Sequence, residues 1–254
     1  MIDSKYNAAL QKEECRLIVK RAEHADEIEA ALRLRFEVFN IEMKEGLQSS
    51  YRTGLDADEF DSLCDHVIVV DASNNMVVGT YRLLMGSEAE KSIGYYSETE
   101  FEMSSFRKLC GEKLELGRAC VHKDYRGSSV LNLMWSVIAK YIDNYDITYI
   151  FGCGSVHTIN PVVISNIYGY FRMNYLTGED CRITPLKRVP GFNPDYVYDK
   201  YLVAQHLPPL LCAYLRLGAR VAGEPAFDEQ FGVSDFLILL DREKLLNRYR
   251  NRFF

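Results

Sequence analysis

One stretch, Leu114 to Trp135, limits the possible folds more than any other. Leu114, Leu116 and Cys120 interleave with Glu115 and Gly117, and alternation at period two marks a strand. Val130, Leu133, Met134, Val137 and Ile138 then recur at helical spacing. Between them runs a short basic turn, Lys123 to Gly127. The sequence thus predicts a strand, a turn, and a helix whose first turn carries Gly127, Ser128 and Ser129. The N–H groups of a first helical turn have no intrahelical partner, and the macrodipole favours an anion there. Arg126 stands beside that end as a phosphate partner. Glu115 and Arg118 lie on the strand leading in. The competing reading is a surface turn in an ordinary α/β domain, with Glu115 and Arg118 in a salt bridge.

Composition narrows the function. A chain of 254 residues with 48% hydrophobic side chains can bury a real core. A net charge of −6 argues against a nucleic-acid partner. No apolar run reaches the length of a membrane span. The start, Met-Ile-Asp-Ser-Lys, lacks the apolar centre of a signal peptide. The seven cysteines form no Cys-x-x-Cys and have no histidine at zinc-finger spacing. Reduced thiols in a cytoplasmic enzyme, with no metal site, are the expectation.

Along the chain, residues 1–15 read as loosely ordered and 16–254 as one domain. Arg16 to Lys20 is a first strand. Ala25 to Asn40 is a helix with Ile28, Ala31, Leu32, Phe36 and Phe39 on one face, and Arg35 one turn from Phe39. A carboxylate-rich loop follows. His66–Val70 and Val77–Leu84 read as a hairpin turned at Asn74-Asn75. Gly86 to Cys110 reads as an insertion suited to covering a cleft. Strands follow at Lys113–Val121, Ile147–Cys153, Arg220–Ala222 and Asp235–Leu240. Helices are expected at Ser128–Tyr145, Ile159–Met173 and from Pro208 to Leu217, the last with proline at its start and Gly218 past its end. Arg242 to Phe254 reads as a basic amphipathic helix. The fold class is α/β, a mixed central sheet flanked by helices with a C-terminal elaboration.

Ionisable residues sit beside strongly apolar neighbours in four segments: Arg35 in Leu-Arg-Leu-Arg-Phe, Asp58 and Asp61 in Leu-Asp-Ala-Asp-Glu-Phe-Asp, Arg82 in Gly-Thr-Tyr-Arg-Leu-Leu, and Glu115 with Arg118. Taken in order they match a family pattern. Leu34-Arg35-x-x-Val38-Phe39, Asp58-x-Phe60-Asp61-x-x-Cys64-Asp65-His66, Val78 to Leu84, Leu114 to His122, Phe151-Gly152-Cys153, Pro208 to Leu211, and Gly223-Glu224-Pro225-Ala226 through Asp235-Phe236 together resemble the ornithine–acyl carrier protein N-acyltransferases of ornithine-lipid synthesis. These belong to the GNAT (acyl-CoA N-acyltransferase) fold. The resemblance covers roughly residues 16 to 254. The charged order is also similar to acyl-homoserine-lactone synthases. The sequence lacks their tryptophan after the first helix, since its one tryptophan is Trp135, and it carries a C-terminal segment that they lack.

The resemblance implies transfer of a 3-hydroxy fatty acyl group from acyl carrier protein, or from coenzyme A, to the α-amine of an amino acid, ornithine first and glycine or another amine as the alternative. It implies Glu115 and Arg118 as catalytic residues. Arg35, Phe39, Asp58, Asp61 and Arg82 fall at its substrate-binding positions. Val121, Arg126, Gly127, Ser128 and Ser129 fall at its phosphopantetheine-binding positions. Ser129 and Leu131 occupy the glycine positions of the usual pyrophosphate loop, which suits a carrier-protein arm with one phosphate. The partners implied are acyl carrier protein and an amino acid, with membrane contact at the inner face through 242–254.

An ammonium must lose a proton before it can attack a thioester, and Glu115 is the candidate base. Arg82 and Arg118 suit an acceptor carboxylate, and Asp58 or Asp61 the second ammonium of ornithine. The alternatives are a structural ion-pair network, covalent catalysis through Cys120 or Cys153, and a module of this fold that binds acyl carrier protein or lipid without catalysis.

Overall fold

The computed structural model describes residues 16–127 and 129–244. The expected disorder of 1–15, the position of Ser128, and the expected C-terminal helix beyond Lys244 lie outside the described residues. In chain order the strands are β1 (Leu17–Arg21), β2 (Asp65–Asp71), β3 (Met76–Met85), β4 (Phe101–Glu102), β5 (Glu112–Val121), β6 (Ile147–Val156), β7 (Thr184–Pro185), β8 (Arg220–Val221), β9 (Ala226–Asp228) and β10 (Val233–Asp241). The α-helices are α1 (Ala25–Arg35), α2 (Gly86–Ala89), α3 (Ser104–Arg107), α4 (Val130–Asn144), α5 (Pro161–Asn174), α6 (Lys200–His206) and α7 (Pro209–Leu217). The described residues gather into two compact units, 16–83 with 117–144, and 84–116 with 145–244.

In the first unit the strand order is β1, β2, β3 and the C-terminal half of β5. β1 and β3 both pair antiparallel with β2. The β2–β3 turn forms as its residues dictate. The Asp71 carboxylate accepts from the Ser73 N–H and hydroxyl, and Asn75 takes a positive φ of 57°. α4 buries Val130, Met134, Trp135, Ile138, Ala139 and Ile142, the stripe that its spacing predicts.

The first helix departs from expectation. α1 carries Asp26 and Glu27 in its first turn and Arg33 and Arg35 in its last, which complements the helix dipole. It ends at Arg35, and Phe36–Met43 continues as a π-helix. Widened turns of this kind gather at functional sites. The turn ends at Lys44 in the left-handed region, and the buried Asn40 side chain donates to the Leu47 carbonyl at 2.8 Å. Any Cβ at Gly46 would lie 2.0 Å from the Asn40 amide oxygen, so that position needs glycine.

In the second unit the order is the N-terminal half of β5, then β6, β10 and β8, with β9 also against β10. β5 and β6 run parallel through Glu112 to Glu115, and β6 and β10 antiparallel from Tyr149 to Val156. Asn160 caps α5, accepting from the N–H groups of Val162 and Val163, with Pro161 in the first turn. Pro209 opens α7 and Gly218, at φ 110°, closes it. The segment from Gly86 to Cys110 contributes to the core. Tyr95, Phe101, Met103 and Phe106 are all fully buried, and Tyr95 and Phe106 meet Phe151 edge to face. These aromatics build core.

Candidate active site

In the first unit the arginines and aspartates form one cluster. Arg35, on the inner face of α1, is completely buried. Its Nε and Nη2 reach Asp56 Oδ1 at 2.8 and 2.6 Å, and its Nη1 donates to Asp61 Oδ1 at 2.6 Å. Arg82, from β3, donates to Asp58 Oδ1 at 2.6 Å and to Asp61 Oδ1 at 3.0 Å, and stands over the Phe60 ring. Arg118 Nη2 donates to Asp58 Oδ2 at 2.9 Å, with its Nε 3.9 Å from Asp56. Three guanidiniums thus face three carboxylates. Charges so deep persist only when paired, and removing one partner costs about 3–5 kcal/mol.

The loop holds its own shape. Asp61 Oδ2 accepts from the Asp58 N–H at 2.8 Å, and Asp58 Oδ1 accepts from the Phe60 N–H at 3.0 Å, the local bonding that suits aspartate to turns. Burial pushes the Asp61 carboxyl up. The charge and hydrogen bonds of Arg35, followed by the charge of Arg82, outweigh it and hold the group down at about 2. Asp58 is likewise pushed up by burial and held below the ordinary range by Arg82 and Arg118. His66 is buried, its Nε2 lying 3.1 Å from the Asp61 carbonyl oxygen, and burial lowers its pKa. Asp56 is the member that the sequence reading passed over, although it begins the same acidic motif. Arg118 has a positive φ of 52°. A non-glycine residue there is strained, and such residues collect at working sites.

Phe39 packs on the apolar group formed by Ala31, Leu34, Val38, Ile68, Val77 and Cys120. Its carbonyl accepts from the N–H groups of Glu45 and Gly46. Arg126 forms a two-pronged ion pair with Glu42 of the π-helix, and its Nε donates to the Val121 carbonyl at 3.1 Å. Gly127 turns at φ 80°, with nothing within 4 Å of where a Cβ would stand. The Ser129 carbonyl accepts from Leu133 N–H and so begins α4.

Glu115, in the second unit, is also buried. Its carboxylate accepts from the N–H of Tyr96 at 2.8 Å, the N–H of Ser97 at 2.7 Å, and the Ser97 hydroxyl. Two backbone donors and a hydroxyl hold it in one orientation. Gly152 of β6 admits the Leu116 carbonyl, whose oxygen lies 2.1 Å from any Cβ built there. The Cys153 thiol donates to the Ser97 hydroxyl at 3.4 Å. Burial first, then the negative field of Glu100 and Asp235, pushes that thiol well up. Burial pushes Cys120 up to about 12. Burial thus disfavours the thiolate at both positions, which speaks against covalent catalysis. The six described cysteines are free. Sequence reasoning also missed Glu100, Asp228 and Asp235, whose carboxylate oxygens lie within 4.8 Å of one another.

Residues 34–136 match the acetyltransferase (GNAT) domain family. The structure is similar to an N-acyl amino acid synthase from uncultured soil microbes, with a TM-score of 0.51, 11% identity, and coverage of 91% of this chain and 96% of that one. At that identity the likeness speaks for the fold, which is GNAT. The sequence carries the assignment further. It is 33% identical over 247 residues to an L-ornithine N(alpha)-acyltransferase of Brucella abortus, covering 92% of this chain and 87% of that protein. It is 32% identical over 241 residues to an enzyme of the same name from Rhodobacter capsulatus, covering 91% and 92%. This chain belongs to the L-ornithine N(alpha)-acyltransferase family and is an acyltransferase.

Proposed function

We propose that the chain acylates the α-amine of L-ornithine, taking a fatty acyl group from acyl carrier protein to give a single-chain lipid. The observation that carries the reading is the similarity, over nine-tenths of this chain, to enzymes named for that acceptor. Glu115 removes a proton from the α-ammonium. The freed amine attacks the thioester carbonyl, the C–N bond forms, the C–S bond breaks, and the departing thiolate takes up a proton. Backbone N–H groups stabilise the oxyanion between those steps. Arg35, Arg82, Arg118 and Phe39 act through packing and through the ion pairs with Asp56, Asp58 and Asp61.

A carrier-protein donor is supported by the loop after β5. Arg126 is engaged with Glu42, and Leu131 and Ser129 stand where a pyrophosphate loop needs open glycines. One phosphate asks less of Val121, Arg126, Gly127, Ser128 and Ser129 than two do. No described helix is long and apolar enough to cross a membrane. Residues 242–244 form a 3-10 turn in which Arg242 pairs with Asp146 and Lys244 with Asp241.

The test is mass spectrometry after incubating the protein with 3-hydroxyacyl-carrier protein, or the matching coenzyme A ester, and a mixture of amino acids. An N-acylornithine from the carrier-protein donor is expected. Acylglycine alone would move the acceptor. No loss of thioester from either donor would leave a binding module.

A further inference from the structure

Glu42, in the first unit, stands against the turn after β5 that the reading above gives to the donor phosphate. Its two oxygens accept from Arg126 Nη1 and Nη2 at 2.5 and 2.7 Å, while Arg126 Nε donates to the Val121 carbonyl at 3.1 Å. The guanidinium is fixed on both sides. An anion that comes to it meets the Glu42 carboxylate at once. The hydrogen bonds of Arg126 hold that carboxyl below its ordinary range, so it keeps its charge at neutral pH.

The widened helix is what brings Glu42 to this place. In an α-helix a residue seven places on returns to the same face, so Glu42 would share the buried side of Arg35. The i→i+5 bonding of a π-helix turns the chain less per residue. Within Phe36–Met43 Glu42 therefore leaves that side, is exposed, and meets Arg126.

The rest of the turn is tied down from beneath. The His122 N–H donates to the Val78 carbonyl, and the Tyr125 hydroxyl donates to Asp71 Oδ2 at 2.5 Å. Gly127 has nothing within 4 Å of where a Cβ would stand, so bulk does not limit a ligand at that point. Charge can. Lys123 and Arg126 bring the positive charge of residues 122–127, and Asp124 and Glu42 offset them one for one. Such a surface tolerates one phosphate and resists several. The arm of a carrier protein brings about one negative charge, whereas the pyrophosphate and 3′-phosphate of coenzyme A bring about four. Each added charge is repelled by Glu42.

We propose that Glu42 sets donor specificity: by matching Arg126 it leaves enough positive charge for a single phosphodiester and disfavours the polyanionic coenzyme A. This deepens the functional reading above and rests on its placement of the donor at this turn.

The experiment measures calorimetric binding of coenzyme A and of the methyl ester of 4′-phosphopantetheine, which carries the single phosphodiester of the carrier arm. The proteins are the wild type, Glu42→Gln and Glu42→Asp. A half-exposed ion pair adds little to stability, so both variants fold. Glu42→Gln should lower the Kd of coenzyme A about tenfold or more and that of the phosphodiester by no more than about threefold. Glu42→Asp keeps the charge and should leave the ratio of the two within about threefold of wild type. A coenzyme A Kd unchanged in Glu42→Gln, an equal gain for both ligands, or the same shift in Glu42→Asp would overturn the inference. Turnover of acyl carrier protein and coenzyme A thioesters with ornithine separates the two levels. If the carrier thioester is consumed and Glu42→Gln leaves the binding ratio unchanged, the inference falls and the functional reading stands. If neither thioester is consumed yet Glu42→Gln shifts the ratio toward coenzyme A, the reading falls and the inference stands.

Discussion

Asp61→Asn tests the ion-pair cluster most directly. Asp61 receives Arg35 at 2.6 Å and Arg82 at 3.0 Å, and its other oxygen accepts the Asp58 N–H at 2.8 Å. Asparagine keeps the shape and removes the charge. The carboxyl is held at about 2 in the folded protein against an ordinary value of 3.8. That difference makes the anion worth roughly 2.5 kcal/mol of folding stability near neutrality. The sign follows from the lowered value. The contribution is fully present above pH about 4 and is lost as pH falls toward 2, with about half gone at pH 3. Leaving two buried guanidiniums short of a partner adds to the loss, so a total of about 3–5 kcal/mol at pH 7 is expected. Urea unfolding of wild type and variant at pH 7, 5, 4 and 3 measures it. The gap should be constant from pH 7 to 5 and shrink toward pH 3. A gap that stays the same at pH 3, or a variant as stable as wild type at pH 7, would refute the account of this cluster as a pairing that stabilises the fold.

Three other outcomes follow from particular contacts. Glu115→Gln should cut kcat by about 10²–10⁴-fold; it should also lower the unfolding midpoint, because an amide NH₂ must face one of the donors from Tyr96 or Ser97. Unchanged kcat in a steady-state assay would end its assignment as base. Cys153→Ala should keep kcat within about threefold, since the thiol is held protonated by burial and by Glu100 and Asp235; loss of activity with an intact fold by circular dichroism would restore the covalent route. Gly152→Ala should destabilise by about 1–3 kcal/mol, because its Cβ would meet the Leu116 carbonyl oxygen at 2.1 Å; a urea midpoint equal to wild type would show that β5 and β6 separate there at no cost.

Local elements and the identities of most charged groups can be read from the order of residues alone. The β2–β3 hairpin, the buried stripe of α4 and the Pro209-to-Gly218 limits of α7 are legible because periodicity, turn chemistry and caps act within a few residues. The ordered motifs around Arg35, Asp58, Asp61, Arg82, Glu115 and Arg118 were legible for the same reason. Partnership was not. Arg118 lies three residues beyond Glu115 on one strand, yet it reaches Asp58, sixty residues away, while Glu115 takes its donors from Tyr96 and Ser97. The positive φ of Arg118 and the π-turn after Arg35 leave no mark in local propensity, since tertiary packing imposes both. Glu100, Asp228 and Asp235 each look like a solvated acid in the sequence. Only the pairing of β9 with β10 and the packing of the segment before β4 bring their oxygens within 4.8 Å of one another, because what a buried carboxylate costs depends on what surrounds it in space.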